Sequence, residues 1–566
     1  IALPIEPQGS LRDVDQDGGE DTGVIVFAIA YWDNTWGDPF LEERDQSGGG
    51  WSTAYASTRI SDDPEQLREV VGGKYLIYAP DDEQNFPEGF GADGLLFTED
   101  DPIVSIPQGY SVVNLDVSPF EFDRSRQQII DLIEPESSAL TDFSDLSFTE
   151  AFDAMIDKMR REYAFTEYKG INWDAISAKY RDRFVQADAN DDERLYLDTL
   201  GEIIWGLPDG HINIGPFGAY RDEFFRRVGN GIGLSIRETD DQHAYAVFVA
   251  EGSPADDEGI QVGAEILAIN GIPIADYISR VRPYTETFST PHNRRLGQER
   301  YATRFADDVT SVEVTYQNQG DDEPTTVSVD TLQEFDSYLF SFGASPQSGF
   351  ELPVEYEILP SGYVIASITS FFDNRVLTVQ LWERMIQQVK EQDVPGLIID
   401  MRENGGGNGF LADQLTAYFF NEPLIVGYRG EYSKELDEFF FDPRGVQQLY
   451  LPAEDLRYDG PVVVLVGPDC ASACERFAYN LTLQDRAAII GYYPTAGLGG
   501  GVEDFVMPLD MTIRFTVSRS VDPDGNIHIE SNGVAPTIKV PVTRESLFAT
   551  GDPVLETAID YLNDAN

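Results

Sequence analysis

Positive charge is scarce in this chain. Against 100 Asp and Glu it has 39 Lys and Arg, a formal net charge of -61. Lysine is rarest: Lys74, Lys158, Lys169, Lys179, Lys390, Lys434 and Lys539 are all there are, so 32 of the 39 are Arg. Such a balance repels nucleic acid and anionic membrane, which argues against either as a partner. It suits a protein kept soluble in high salt, where self-repulsion is screened, and predicts a melting temperature that does not fall as salt rises. No apolar run approaches the ~20 residues that span a bilayer. The chain starts at Ile1 without Met, which leads us to expect a removed leader and a periplasmic or extracellular protein, with a lipid anchor as a variant. Cysteine is nearly absent. Cys470 and Cys474 read as two small buried thiols; a bridge between them would span one helical turn, and Cys474 is a minor alternative nucleophile. The four histidines are His211, His243, His292 and His528.

What is present is a long globular chain. Its 566 residues exceed one core and suggest three or four domains. The predicted class is multidomain α/β. Residues 1-140 are Asp/Gly/Pro-rich with short strands, an all-β accessory domain. There Asp13, Asp15 and Asp17 alternate like the start of a calcium loop but lack a Glu at the twelfth position, and Asp93 with Thr98 to Asp101 is a second weak candidate. Residues 141-222 are helical. Ser147-x-x-Glu150 is a capping box, Phe148, Phe152, Met155 and Met159 form a stripe, and further helices follow near Trp173 to Phe184 and Asp191 to Trp205. That segment ends in Leu207-Pro-Asp-Gly-His211, a turn that fixes a histidine and makes His211 the first candidate base. A linker with Pro283, Pro291 and several Arg precedes the strands Val309 to Gln317 and Thr325 to Val329. From about Pro353 strands and helices alternate, giving an α/β core assigned to 301-566.

Two stretches of that core carry the chemistry. Val462 to Val466 is a buried strand, followed by Gly467-Pro-Asp-Cys-Ala and a helix starting at Ser472. A serine at a strand-to-helix turn sits over free amides and the positive end of a helix dipole, where an oxyanion can be stabilised; a plain N-cap is the alternative. The second stretch is Asp400-Met-Arg402-Glu-Asn404-Gly405-Gly406-Gly407. No Gly-Lys-Ser/Thr follows, so a nucleotide loop is not expected, and no cofactor is implied. Loops at the carboxyl ends of α/β strands lie side by side. The amides of Gly406 and Ala473 are therefore expected to form an oxyanion hole.

Residues 223-300 resemble a PDZ domain through Gly231-Ile232-Gly233-Leu234, Val247-Phe-Val-Ala-Glu-Gly-Ser-Pro-Ala255 and Gly259-Ile-Gln-Val-Gly-Ala-Glu-Ile-Leu-Ala-Ile-Asn-Gly271. Gly231 to Leu234 are the expected peptide-binding residues, a carboxylate-capturing loop before an edge strand. With Asp400-x-Arg402-x-Asn404-Gly-Gly-Gly, Ser472-Ala-x-Glu475, Thr495-x-Gly497 and Gly533-Val-x-Pro536, the chain resembles the C-terminal processing (tail-specific) serine peptidases over roughly residues 145 to 545. That family's usual Lys after the serine is missing: the segment reads Thr495-Ala-Gly497-Leu498. The sequence instead resembles the tricorn-like branch, through Asp209-Gly-His211 and Glu530-Ser-Asn-Gly533. The resemblance implies a triad of Ser472, His211 and Glu530, with Glu475, Thr495, Asn404 and Gly405 supporting it. His528 is the rival base; on a strand it would share a face with Glu530 and pair with it. The function implied is a serine endopeptidase acting on unstructured protein C-termini. The alternatives are a catalytically silent binder of peptides or apolar ligands, and a protein whose N-terminal β-domain is its functional part. Oligomeric state is not legible.

Overall fold

The computed structural model describes residues 10–12, 23–28, 58–60, 70–98, 100–126, 141–342, 352–433 and 438–565. The chain forms two compact units: residues 1–140 with 432–447, and residues 141–431 with 448–566. The calcium candidates Asp13, Asp15 and Asp17 lie outside the described residues.

The first unit is an antiparallel sheet of β1 (Ser10–Arg12), β2 (Val24–Ala28), β3 (Thr58–Ile60), β4 (Val70–Ala79), β5 (Gly109–Asn114) and β6 (Glu121–Asp123). Its order is β1-β2-β4-β5-β6, with β3 also on β4. Tyr75, Ile77 and Ala79 alternate along β4 into a core with Val24, Val26, Phe86 and Val113, the period of two that a half-buried sheet requires. The second calcium candidate is a self-satisfied turn. Asp101 accepts from the amides of Gly91, Phe97 and Thr98, and Asp100 from Ala92, so these carboxylates serve the backbone.

The second unit begins with three helices, α1 (Phe148–Glu162), α2 (Trp173–Asn190) and α3 (Glu193–Ile204). The Ser147/Glu150 capping box is formed, and Phe152, Met155 and Met159 are fully buried. An antiparallel sheet follows: β7 (Leu234–Glu238), β8 (Ala244–Val249) and β9 (Glu265–Ile269), then β10 (Ser311–Gln317) and β11 (Thr325–Asp330). Strands on both sides of residue 300 thus share one sheet and one core of Ile236, Ile266 and Val314. Within it lie helices α4 (Ile274–Arg280) and α5 (Pro291–Tyr301). The stretch expected as a linker is therefore helical from 291. Thr290 caps it and Pro291 occupies the first turn, where a missing N–H costs nothing. A short helix, α6 (Asp336–Phe340), comes after β11.

The last sheet runs β12 (Glu355–Ile358), β13 (Val364–Ser367), β14 (Leu397–Asp400), β15 (Val462–Leu465), β16 (Ala488–Gly491) and β17 (Ile538–Lys539) in spatial order. The edge pair β12/β13 is antiparallel; the others are parallel. Helices α7 (Arg375–Glu391), α8 (Gly409–Ala417), α9 (Ala473–Thr482) and α10 (Pro553–Ala565) accompany it. Strands β14 and β15 are buried on both faces, as continuous aliphatic strands of a covered parallel sheet must be. Their neighbouring carboxyl ends deliver the Gly loop and Ser472 to one place.

Candidate active site

Ser472 sits between β15 and α9 with φ +56° and ψ -113°. A capping serine takes extended backbone; this one occupies strained space, the geometry of a nucleophile elbow. The Gly loop reaches it directly. A Cβ on Gly406 (φ +98°) would stand 2.6 Å from Ala471 O and 2.9 Å from Ser472 Cβ, so no other residue fits. The Gly406 amide, however, is not free as expected: it donates to Asn404 Oδ1 at 2.8 Å. Asn404, fully buried, also donates to Ile368 O and so pins the loop. Gly405 precedes this contact, and Ala473 begins α9, where first-turn amides lack helical partners. Arg402 pairs with Asp400 and Asp552.

The cysteines differ from expectation. Cys470 and Cys474 form a disulfide that brackets Ser472. Cys470 lies in the turn before the elbow, so the two Cα atoms come 5.4 Å apart, within disulfide reach. That removes Cys474 as a nucleophile.

Glu475 lies one turn into α9, fully buried. Its Oε2 accepts from the amides of Ser472 (2.8 Å) and Leu498 (2.7 Å), and its Oε1 from Thr495 Oγ1 and the Gly497 amide, each at 2.6 Å. Burial pushes its carboxyl up to about 7, against the pull of these four donors. Thr495 Oγ1 accepts in turn from the Val534 amide, linking the Gly533-Val segment to the elbow. One residue past Leu498, the Gly499 amide donates to Glu530 Oε2 at 2.8 Å. The loop from Thr495 to Gly499 thus holds the serine's clamp with one set of amides and the second acid with the next.

Glu530 belongs to a buried cluster. Ligating atoms of Asp209, His211 and Glu530 all lie within 4.8 Å of one another, the one such group of three among the described residues. Burial and the Asp209 charge push Glu530 up to about 7. Asp209 accepts from the His211 amide, Tyr163 Oη and Thr516 Oγ1, fixing the Asp-Gly-His turn. Burial holds the His211 imidazole below its ordinary value. Its Nδ1 is buried with no hydrogen-bond partner. The positive charge in the cluster is Lys169, which the sequence did not single out. Its buried ammonium pairs with Glu530, donates to Pro208 O at 2.6 Å and lies 3.7 Å from Asp209. A resident ammonium between these carboxylates supplies the charge that a metal ion would otherwise bring. Ser289 Oγ donates to Glu530 Oε1 (3.0 Å) and accepts from the Gly210 amide (2.9 Å).

His528 is elsewhere. Residues 526 to 532 are irregular and turning, so the strand-face pairing with Glu530 does not form. Its ring packs on Tyr479, centroids 4.1 Å apart. Tyr479 lies seven residues along α9 from Ser472, about 10 Å at 1.5 Å per residue.

The expected peptide loop is covered by the chain itself. Gly231 pairs with Leu332 and Arg304 on its two sides, and Ile232 and Leu234 are core. Strand β7 ends its sheet, but Ser235 Oγ bonds Ser337 O of α6 and the Glu238 amide bonds Glu299 of α5. Its outer edge is closed in this form.

Comparison with known proteins follows this division. Residues 362–540 match the peptidase family S41 model, 144–198 the tricorn protease C1 domain, and 223–279 the PDZ domain. A carboxy-terminal-processing protease of Bartonella bacilliformis is 31% identical over 155 residues, 27% of this chain and 32% of that protein. A carboxyl-terminal-processing protease of Picosynechococcus is 23% identical over 407 residues, 70% of this chain and 84% of its own. Mature CPAF in complex with lactacystin shares the fold, with TM-score 0.51 at 16% identity over 74% of this chain and 97% of that one. These likenesses give the silent-binder alternative no support. Among the described residues no helix is long and apolar enough to cross a membrane.

Proposed function

We propose that this chain, a serine-type peptidase of the carboxyl-terminal-processing S41 family with a PDZ domain, cleaves proteins by an acyl-enzyme route with Ser472 as nucleophile and His211 as base. The observation that carries the reading is the shared loop: consecutive amides of Gly497, Leu498 and Gly499 bind Glu475 under the serine and Glu530 beside the histidine. Serine is a weak nucleophile until a base takes its proton during attack. His211, kept neutral by burial, is that base. His211 shares a cluster with two carboxylates and its Nδ1 has no other hydrogen-bond partner; Glu530 receives it, fixing the tautomer and stabilising the imidazolium. The tetrahedral oxyanion takes the Ala473 amide and the Gly406 amide once substrate draws the latter from Asn404. His211 then returns its proton to the leaving amine, and water repeats the cycle on the acyl-serine.

The substrates are polypeptide ends, as the names of the relatives describe for those proteins. Recognition by the PDZ domain requires α5 or α6 to yield the β7 edge. The location is periplasmic or extracellular. Ser472→Ala should lower hydrolysis of a denatured protein roughly 10⁴-fold or more. Unchanged hydrolysis in that variant would refute the assignment.

A further inference from the structure

A cavity of about 490 Å³ opens beside the covered strand, between the end of β7, helix α4 and helix α5. Its size is that of a small-ligand site. Its wall carries Glu238, Asp240, Asp276 and Glu299 against a single guanidinium, Arg295. His292 also lines it and is held below its ordinary value by burial, so it adds no charge.

Two of these acids are already neutralised. Glu238 is gripped bidentately by Arg295 at 2.6 and 2.7 Å, and Asp240 pairs with Lys539 at 2.9 Å. Of the other two, Glu299 has only a long ion pair, to Arg237 at 3.5 Å, and Asp276 has none among the described residues. Glu299 is only 2% exposed, and both its hydrogen bonds, from the Glu238 amide at 3.2 Å and Arg237 at 3.5 Å, fall on Oε2. Its Oε1 has no donor among the described residues, in a carboxylate that lines the cavity. Burial pushes this carboxyl up to about 7, against the pull of Arg237. The Asp276 side chain, exposed on α4, has no ion pair or hydrogen bond among the described residues. A metal ion is a poor match. Three His, Asp or Glu ligating atoms gather within 4.8 Å at the Asp209 cluster and nowhere else among the described residues. An organic cation spans wider spacings. A C-terminal carboxylate would meet like charge here.

We propose that this cavity binds an organic cation, the ammonium or guanidinium of a basic side chain or small amine, with Glu299 as its buried partner and Asp276 at the mouth. Binding is measured in Ser472→Ala, where substrate turnover plays no part.

The test is isothermal titration of full-length Ser472→Ala protein at about 0.3 M NaCl, which screens non-specific attraction to the acidic surface. The probes are agmatine, the peptide acetyl-Gly-Gly-Arg-Gly-Gly-amide, and the same peptide with uncharged citrulline for arginine. We expect one-to-one binding of the charged probes with Kd on the order of 0.1–1 mM, at least tenfold weaker binding of the citrulline peptide, and about tenfold weakening in Glu299→Gln, the size of one partly buried charge pair. Tighter binding of the peptide than of agmatine identifies a polypeptide ligand; equal affinity identifies a small amine. Should Glu299→Gln fail to fold, Asp276→Asn on the exposed face of α4 decides, with an expected loss of about threefold, a rim-type contribution. No saturable binding, equal affinity for citrulline, or indifference to both substitutions overturns the proposal.

Discussion

Two buried glutamates serve the two halves of the site in different ways. Glu475 and Glu530 are both fully buried, both pushed up to about 7, and both bound by amides of the same short loop. Glu475 is held wholly by neutral donors: three amides and the Thr495 hydroxyl. Glu530 shares its pocket with a second carboxylate and the Lys169 ammonium. The first carboxylate fixes backbone, locking the strained elbow to its neighbouring loop. The second fixes charge, setting the field around His211. A missing lysine beside the nucleophile is thus matched by a lysine on the acid side, with a different task.

The largest expected effect breaks the charged half. Lys169→Met leaves two buried carboxylates with one cation removed and should cost about 3–5 kcal/mol of stability, measured by urea unfolding. A loss below about 1 kcal/mol would mean the ammonium is dispensable. Glu475→Gln keeps one acceptor oxygen and turns an NH₂ towards two donors. It should cost about 2–4 kcal/mol and slow turnover, because the group orders the backbone of the elbow.

The next effect is on pH dependence. His211 is held below its ordinary 6.5, and Lys169 contributes to that lowering after burial. The acid limb of kcat/KM should therefore fall below pH 6.5, and in Lys169→Met it should move upward. In stability the signs oppose. Glu475 and Glu530, raised from 4.5 to about 7, bind more protons folded than unfolded, so their contribution is fullest in acid and is lost as pH rises through about 7. His211, lowered, contributes above 6.5 and loses stability as pH falls below it. Urea midpoints against pH should decline less steeply between about 4.5 and 7 in Glu475→Gln than in wild type; identical slopes would contradict the assignment. The smallest change is Thr495→Val, which removes one donor from Glu475 and the acceptor of the Val534 amide, about 1–2 kcal/mol.

Much of this was legible in the chain because it is local. The capping box, the aliphatic strands β14 and β15, the Gly loop and the serine turn are contiguous patterns whose physics lies within a few residues. The rest depends on meetings between distant segments. Nothing in Glu167-Tyr-Lys169-Gly170 marks a lysine that reaches a glutamate 361 residues later, a separation read directly from the numbering. Helix α5 was hidden because Pro291 and its arginines read as a linker; its stripe is polar, meeting β7 through ion pairs and α4 through hydrogen bonds to backbone carbonyls. The disulfide was missed because an i, i+4 spacing reads as one helical turn, whereas Cys470 lies before the helix starts. The covering of Gly231 by residues near 332 required the fold itself.

The central claim is that His211, drawn from before the PDZ-like sheet, serves Ser472. The direct measurement is the second-order rate of Ser472 labelling by a fluorophosphonate in wild type, His211→Ala and His528→Ala. The account predicts a loss of roughly 10³-fold or more in His211→Ala and a change within about threefold in His528→Ala, whose ring packs on Tyr479. Undiminished labelling in His211→Ala, or its abolition in a folded His528→Ala, would contradict it.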